Sequence, residues 1–136
     1  GGASRPLQRA ALPLLDPSHV RKEVRAIRSA FAPKRDLMIA GLAAAGIRPD
    51  LHPVGTFYVW CDLSGLPEPL RDGMAFFREA LARKVITVPG QFFDVNPGRR
   101  RPDHASRFRR HARFSFGPPE PEVRRGLARI RGMVGG

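Results

Sequence analysis

From Asp16-Pro17-Ser18 onward, apolar residues recur at Val20, Val24, Ile27, Phe31, Met38 and Leu42, in steps of three, four or seven that fall on one helix face. The positions between are largely polar, so the segment reads as one long amphipathic helix or two. Asp16 suits the N-cap and Pro17 the first helical position, where a missing amide hydrogen costs nothing. Pro33 should disturb the hydrogen-bond ladder, but the stripe keeps its phase across it, which predicts a kink rather than a break. Gly46 ends the segment.

Past the Pro49 to Pro53 turn, Gly55-Thr56-Phe57-Tyr58-Val59-Trp60-Cys61-Asp62-Leu63 is β-branched and aromatic without a helical period, and predicts a buried strand. Ser64 to Pro67 turns the chain. Met74, Phe77 and Leu81, with Ala80, then mark the inner face of a helix from about Arg71 to Arg83. Val85-Ile86-Thr87-Val88 is a short strand ending at Pro89-Gly90. Residues 91–110 gather Pro, Gly, Asn and charge with no sustained period and predict a long ordered loop. Ala112-Arg113-Phe114-Ser115-Phe116 alternates as a strand, with Ala112, Phe114 and Phe116 on one side and Arg113 and Ser115 on the other. Pro121 opens a last helix with a stripe of Val123, Leu127, Ile130 and Val134. The economical architecture for this order is α+β: two layers, with helices packed on one side of a small mixed sheet.

Composition narrows the picture. The chain has 136 residues, a usual size for one domain. It lacks an initiating Met, and Gly1-Gly2-Ala3-Ser4 has no signal-peptide layout, so a fragment of a longer protein is expected. The longest nearly apolar run, Leu37 to Ile47, is too short to span a bilayer. Cys61 is the single cysteine, which excludes an intrachain disulfide and fits a cytoplasmic protein. The net charge of +12 invites a nucleic-acid reading, but only three of the 24 basic residues are lysines. An arginine skew alongside abundant Ala, Gly and Pro equally fits a GC-rich genome writing its solvated surface.

Several motifs stand in a fixed order: Gly55-Thr56-Phe57-Tyr58-Val59-Trp60, a helix, Val88-Pro89-Gly90, then Ala112-Arg113-Phe114-Ser115-Phe116 before a terminal helix. This series resembles the small domain of class I/II, fold-type I, pyridoxal-phosphate aminotransferases. The opening Ser4-Arg5-Pro6-Leu7-Gln8-Arg9-Ala10-Ala11 resembles the loop and helix that follow the cofactor-lysine region of that family. The resemblance implies that residues 1–45 link an absent large domain to a small C-terminal domain at 46–136. It implies a parent enzyme, a cytoplasmic homodimer, that moves an amino group between an amino acid and a 2-oxo acid with pyridoxal 5'-phosphate.

Carried over residue by residue, the resemblance makes Arg113 the clamp for the substrate α-carboxylate. A guanidinium is a planar fork that meets both carboxylate oxygens at once. Ser4 falls where a hydroxyl reaches the neighbouring subunit's cofactor phosphate, and Phe92 in the loop that shapes the substrate entrance. Structural alternatives stand beside each: a salt-bridged strand arginine, a helix-entry serine, a packing aromatic. The family's cofactor lysine, phosphate arginine and pyridine-pairing aspartate have no counterpart in recognisable context. Lys22 and Lys34 sit on the charged face of the first helix and Lys84 at the end of the second. The fragment alone is therefore expected to be inactive. A lyase or decarboxylase of the same fold would use the same clamp.

His19, His52, His104 and His111 lack metal-ligand spacing, and no nucleophile elbow or phosphate-cradling glycine run is present. The competing reading is a nucleic-acid surface of Arg99, Arg100, Arg101, Arg107, Arg109 and Arg110, with Phe92, Phe93 and Phe108 for stacking. It accounts for the charge but not for the order of the strand motifs, and ranks below the enzyme reading.

Overall fold

The computed structural model describes residues 2, 4–96, 98, 100–102 and 105–135. Contacts divide the chain into two units, Gly1–Pro33 and Lys34–Gly136.

The first unit holds helix α1 (Arg5–Ala11), a 3-10 turn (Leu12–Leu15) and the first part of helix α2 (Pro17–Ala44), inside which Pro33 lies. Asp16 caps α2 as its position predicts, its carboxylate accepting from the amides of Ser18 at 2.9 Å and His19 at 3.1 Å. The Ser18 hydroxyl and these amides hold the Asp16 carboxyl below its usual value. No residue of α1 is buried. Leu7, Leu12, Leu14, Leu15, Val20, Val24 and Ile27 all stand exposed.

In the second unit, Met38 and Leu42 carry the α2 stripe into a core. Gly46 then takes a left-handed φ of 76°, with its amide on the Ala43 carbonyl and the Ile47 amide on the Leu42 carbonyl. This Schellman closure satisfies carbonyls that the helix end would leave bare, and it drives Ile47 into full burial. Strand β1 (Arg48–Pro49) follows, then β2 (Tyr58–Asp62), α3 (Gly73–Ala82), β3 (Val88–Pro89), a 3-10 turn (Gly90–Phe93), β4 (His111–Ser115) and α4 (Glu120–Gly135). Among the described residues the sheet order is β1-β2-β4-β3, and all three pairings are antiparallel where the sequence suggested a mixed sheet. The α+β class and two-layer packing are as expected.

One face of the sheet supplies Val59, Cys61, Ala112 and Phe114 to the core, where Phe76 of α3 meets Phe114 edge-on at 5.8 Å. Val123, Leu127, Ile130 and Met133 of α4 complete the core, with Met133 in the place expected for Val134. The strand expected from Gly55 starts only at Tyr58, because Thr56 adopts φ 61° and breaks the extended run. The strand expected at Val85–Val88 is pared to Val88–Pro89. Helix α3 keeps Ala80 inward as expected, but the rest of its inner face differs from the expected Met74, Phe77 and Leu81. Gly73, Phe76 and Ala80 are buried, and Leu81 is 47% exposed. The reason lies at Gly73, whose absent Cβ leaves the helix against the His111 carbonyl, 2.6 Å from where that atom would stand.

Candidate functional site

The alternation of β2 and β4 puts Tyr58, Trp60 and Asp62 beside His111, Arg113 and Ser115 on the sheet face opposite the core. Register joins them: Trp60 stands opposite Arg113 and Asp62 opposite His111. Arg113 is half-buried, as its place on the outer face of a strand predicts. Its guanidinium carbon lies 3.9 Å from the centroid of the Tyr58 ring and 4.8 Å from that of Phe93. Such contacts favour a cation over an aromatic face while leaving its N–H edge for an anion. No carboxylate among the described residues pairs with Arg113. Its neighbours differ, for Arg101 is bound to Asp94 at 2.8 Å and Arg109 to Asp72 at 2.6 Å.

Trp60 forms the floor of this face. Phe93 and Phe108 meet it edge-on at 5.3 and 5.4 Å, and His111 stacks on it at 5.5 Å with an 18° angle between rings. His111 Nε2 lies 3.2 Å from Asp50 Oδ2. The same Asp50 donates its amide to the Trp60 carbonyl at 3.1 Å. On the core side, burial pushes the Cys61 thiol up to about 12, helped by the Asp50 and Asp62 charges, so this sulfur is a small hydrophobe and not a nucleophile.

Side chains tie together the described residues between 91 and 110. The Asp94 side chain, only 6% exposed, accepts from Arg101 and from the Arg107 amide. The Ser106 hydroxyl and the Arg101 guanidinium hold its carboxyl below the usual carboxylate range. Asn96 spans the same loop, donating to the Arg101 carbonyl at 2.7 Å and accepting from its amide at 3.2 Å. Asp72 caps α3 through the Met74 and Ala75 amides. Burial pushes its carboxyl up, but the Arg109 hydrogen bond, the two amides and the Arg109 charge outweigh that and hold it low. Asp72 in turn raises the Arg109 guanidinium.

These pairings bear on the nucleic-acid reading. Arg101, Arg107 and Arg109 face acids of their own chain, and Phe93 and Phe108 pack on Trp60. Arg100 and Arg110 stay exposed. Arg99 and His104 lie outside the described residues. No group of three or more His, Cys, Asp or Glu that could hold a metal occurs among the described residues, and no described helix is long and apolar enough to cross a membrane.

Phe92 is 66% exposed and lines a cleft with Gln91, Asp94, Asn96, Arg101, Pro102 and Ser106, while its neighbour Phe93 is the ring that touches Arg113. Ser4 precedes α1, is exposed, and its side chain caps no amide there. Sequence patterning missed Phe93, Tyr58, Trp60 and His111 as one assembly. The alternation of Tyr58 and Trp60 carried a signal for two of them, whereas Phe93 reaches the face through a 3-10 turn that no periodicity announces.

The class the structure defines is an α+β domain with an arginine seated on the aromatic face of a strand, where no carboxylate among the described residues pairs with it. Known proteins sharpen that description. The family model for aminotransferase class I and II matches residues 2–130, and the chain belongs to that family. It is 30% identical over 116 residues to the aspartate/prephenate aminotransferase of Thermus thermophilus, covering 85% of this chain and 26% of that protein. A crystal structure of an aminotransferase from Mycobacterium tuberculosis superposes with a TM-score of 0.71 at 30% identity, over 93% of this chain and 29% of the other. The aspartate aminotransferase of Thermus thermophilus solved with maleate gives 0.68 at 28% identity, over 88% and 27%. The chain thus spans about a quarter of the length of the curated relative it matches.

Proposed function

We propose that the protein acts as part of a pyridoxal-phosphate-dependent aminotransferase that exchanges an amino group between an amino acid and a 2-oxo acid, and that Arg113 holds the substrate α-carboxylate. The supporting observation is the guanidinium seated on Tyr58 and Phe93, with no carboxylate partner among the described residues. Two parallel N–H donors on a planar carboxylate fix the Cα substituents in space as well as neutralising the charge. Fixed orientation matters because the bond to be broken must stand perpendicular to the plane of the cofactor. Pyridoxal phosphate, when bound, supplies the electron sink for that bond.

The chain's own residues fit the substrate side of such a site and not the covalent anchorage of the cofactor. Lys34 Nζ donates to the Gly117 and Pro118 carbonyls at 2.9 and 3.0 Å, Lys84 closes the end of α3, and Lys22 is exposed on α2. We therefore assign the anchoring lysine to a large domain of the parent, residues 1–45 to the link and 46–136 to the small domain. Ser4, with its hydroxyl off the helix amides, is assigned to the cofactor phosphate of a neighbouring subunit in a cytoplasmic homodimer. Phe92 is assigned to the wall of the entrance. The relative that crystallised with maleate, a dicarboxylate, is consistent with acid recognition on this scaffold.

The test is kinetic, on the full-length parent. Arg113→Ala should weaken amino-acid binding by the worth of a hydrogen-bonded charge pair, about 1.5–3 kcal/mol or roughly 10- to 150-fold, with the cofactor absorbance intact. Unchanged turnover would remove Arg113 from the site.

A further inference from the structure

We propose that His111 is a positioning residue for Arg113, acting through Trp60 and Phe93, with Asp50 as its anchor. The proposal rests on the assignment of Arg113 to the substrate carboxylate.

Two routes lead from His111 to the guanidinium. The first runs through rings. His111 lies nearly parallel to Trp60, Trp60 takes the edge of Phe93, and Phe93 carries Arg113 on its face. A tilt of the Trp60 plane therefore moves Phe93 and changes the wall on which the guanidinium rests. The second route runs through backbone. A Cβ on Gly90 would stand 2.7 Å from the His111 Cβ and 2.9 Å from its carbonyl, so the start of the 3-10 turn bearing Phe93 is pressed directly on His111. Both routes converge on Phe93.

The one ion-pair contact of the His111 ring among the described residues is with Asp50, while Asp62 faces it across the strand pair. Nε2 meets Asp50 Oδ2 at 3.2 Å, and Nδ1 is buried without a hydrogen-bond partner among the described residues. Nε2 therefore carries a hydrogen, and rotation of the ring by a half-turn would forfeit the contact with Asp50. Asp50 is fixed in turn by its amide on the Trp60 carbonyl, which closes a small circuit of Asp50, Trp60 and His111. Phe108 seals it, edge-on to both rings. A histidine kept only for packing would need neither the carboxylate nor the unpaired nitrogen. An aromatic hydrocarbon would fill the same volume at less cost in buried polar groups.

The experiment uses the full-length holoenzyme and four variants: His111→Phe, Asp50→Ala, Arg113→Lys and the His111→Phe/Arg113→Lys pair. His111→Phe keeps the stack and removes the tether. Asp50→Ala is the second variant, which removes the acceptor but keeps the backbone amide of residue 50 on the Trp60 carbonyl. The expected result is a three- to tenfold rise in KM for the amino acid in both, with kcat changed less than twofold and the cofactor absorbance unaltered. In the Arg113→Lys background, His111→Phe should add less than twofold, because the fork that His111 helps to aim is already gone. Equal multiplicative losses in the two backgrounds, or unchanged KM in both single variants, would overturn the proposal. If Arg113→Lys itself leaves KM unchanged, the assignment of the substrate clamp fails, which is a separate outcome read from its own variant. If His111→Phe does not accumulate as folded protein, Asp50→Ala decides alone: normal KM refutes the role of the tether.

Discussion

At the scale of single residues, the two left-handed positions that end helices differ in kind. Gly46 has no Cβ to strain, whereas Lys84 adopts φ 58° to close α3, its amide on the Leu81 carbonyl and the Val85 amide on the Ala80 carbonyl. A non-glycine residue there costs about 1 kcal/mol. Lys84→Gly should therefore raise the stability of the chain by about that much, because the contact with Arg129 uses the Lys84 carbonyl and survives. Urea denaturation monitored by circular dichroism checks this, and a lower midpoint would refute it. Asp72 makes the opposite case. It caps two amides and binds Arg109, and Asp72→Ala should cost about 1–2 kcal/mol in the same assay. Both Asp72 and Asp94 have folded pKa values below their unfolded ones. Their contribution is thus complete above the ordinary carboxylate range and lost as pH falls through the lower folded values, from about pH 4 downward. Replacing either with Asn should flatten stability across that window while leaving its shape near pH 7 unchanged.

At the scale of elements, sequence patterning recovered every main helix of the second unit and both longer strands. It went astray where two apolar stripes compete. Phe76 and Phe77 are adjacent, and periodicity alone gives either one the core; Gly73 decides, because its side of α3 must meet the His111 and Arg109 carbonyls. That approach is a distant contact no local window holds. Arg113 was legible because strand alternation fixes its face. Its support from Phe93 was hidden, since the turn Gly90–Phe93 owes its place to the fit of Gly90 against β4. Gly90→Ala should therefore do more than lose a turn. The new methyl would meet the Phe108 carbonyl and the His111 Cβ, costing about 1–3 kcal/mol as an overpacked site. In the full-length enzyme the same change should raise KM for the amino acid. Wild-type stability and KM in that variant would show that the turn can move aside.

At the scale of the whole molecule, the first unit carries Leu7, Leu12, Leu14, Leu15, Val20, Val24 and Ile27 in the open. Apolar surface of this kind is seldom left wet, so the 136-residue chain alone should self-associate. Light scattering after gel filtration should show a mass above 15.1 kDa that falls toward the monomer in a Leu12→Lys/Leu15→Lys variant. The +12 charge is a weaker guide than it first looked. Arg101, Arg107 and Arg109 of its loop face internal acids, and a salt titration against duplex DNA should show only the weak binding common to any cationic surface, lost by physiological ionic strength.

The Asp94 hub has a practical consequence for handling the protein. An arginine-rich loop of this length would ordinarily be the first place trypsin cuts, since the protease must draw a free guanidinium into its own acidic pocket. Here the guanidinium of Arg107 faces Asp94 and that of Arg109 is held by Asp72, so digestion should spare the bonds after them until those acids are neutralised or replaced; the bond after Arg101 resists in any case, because Pro102 follows it.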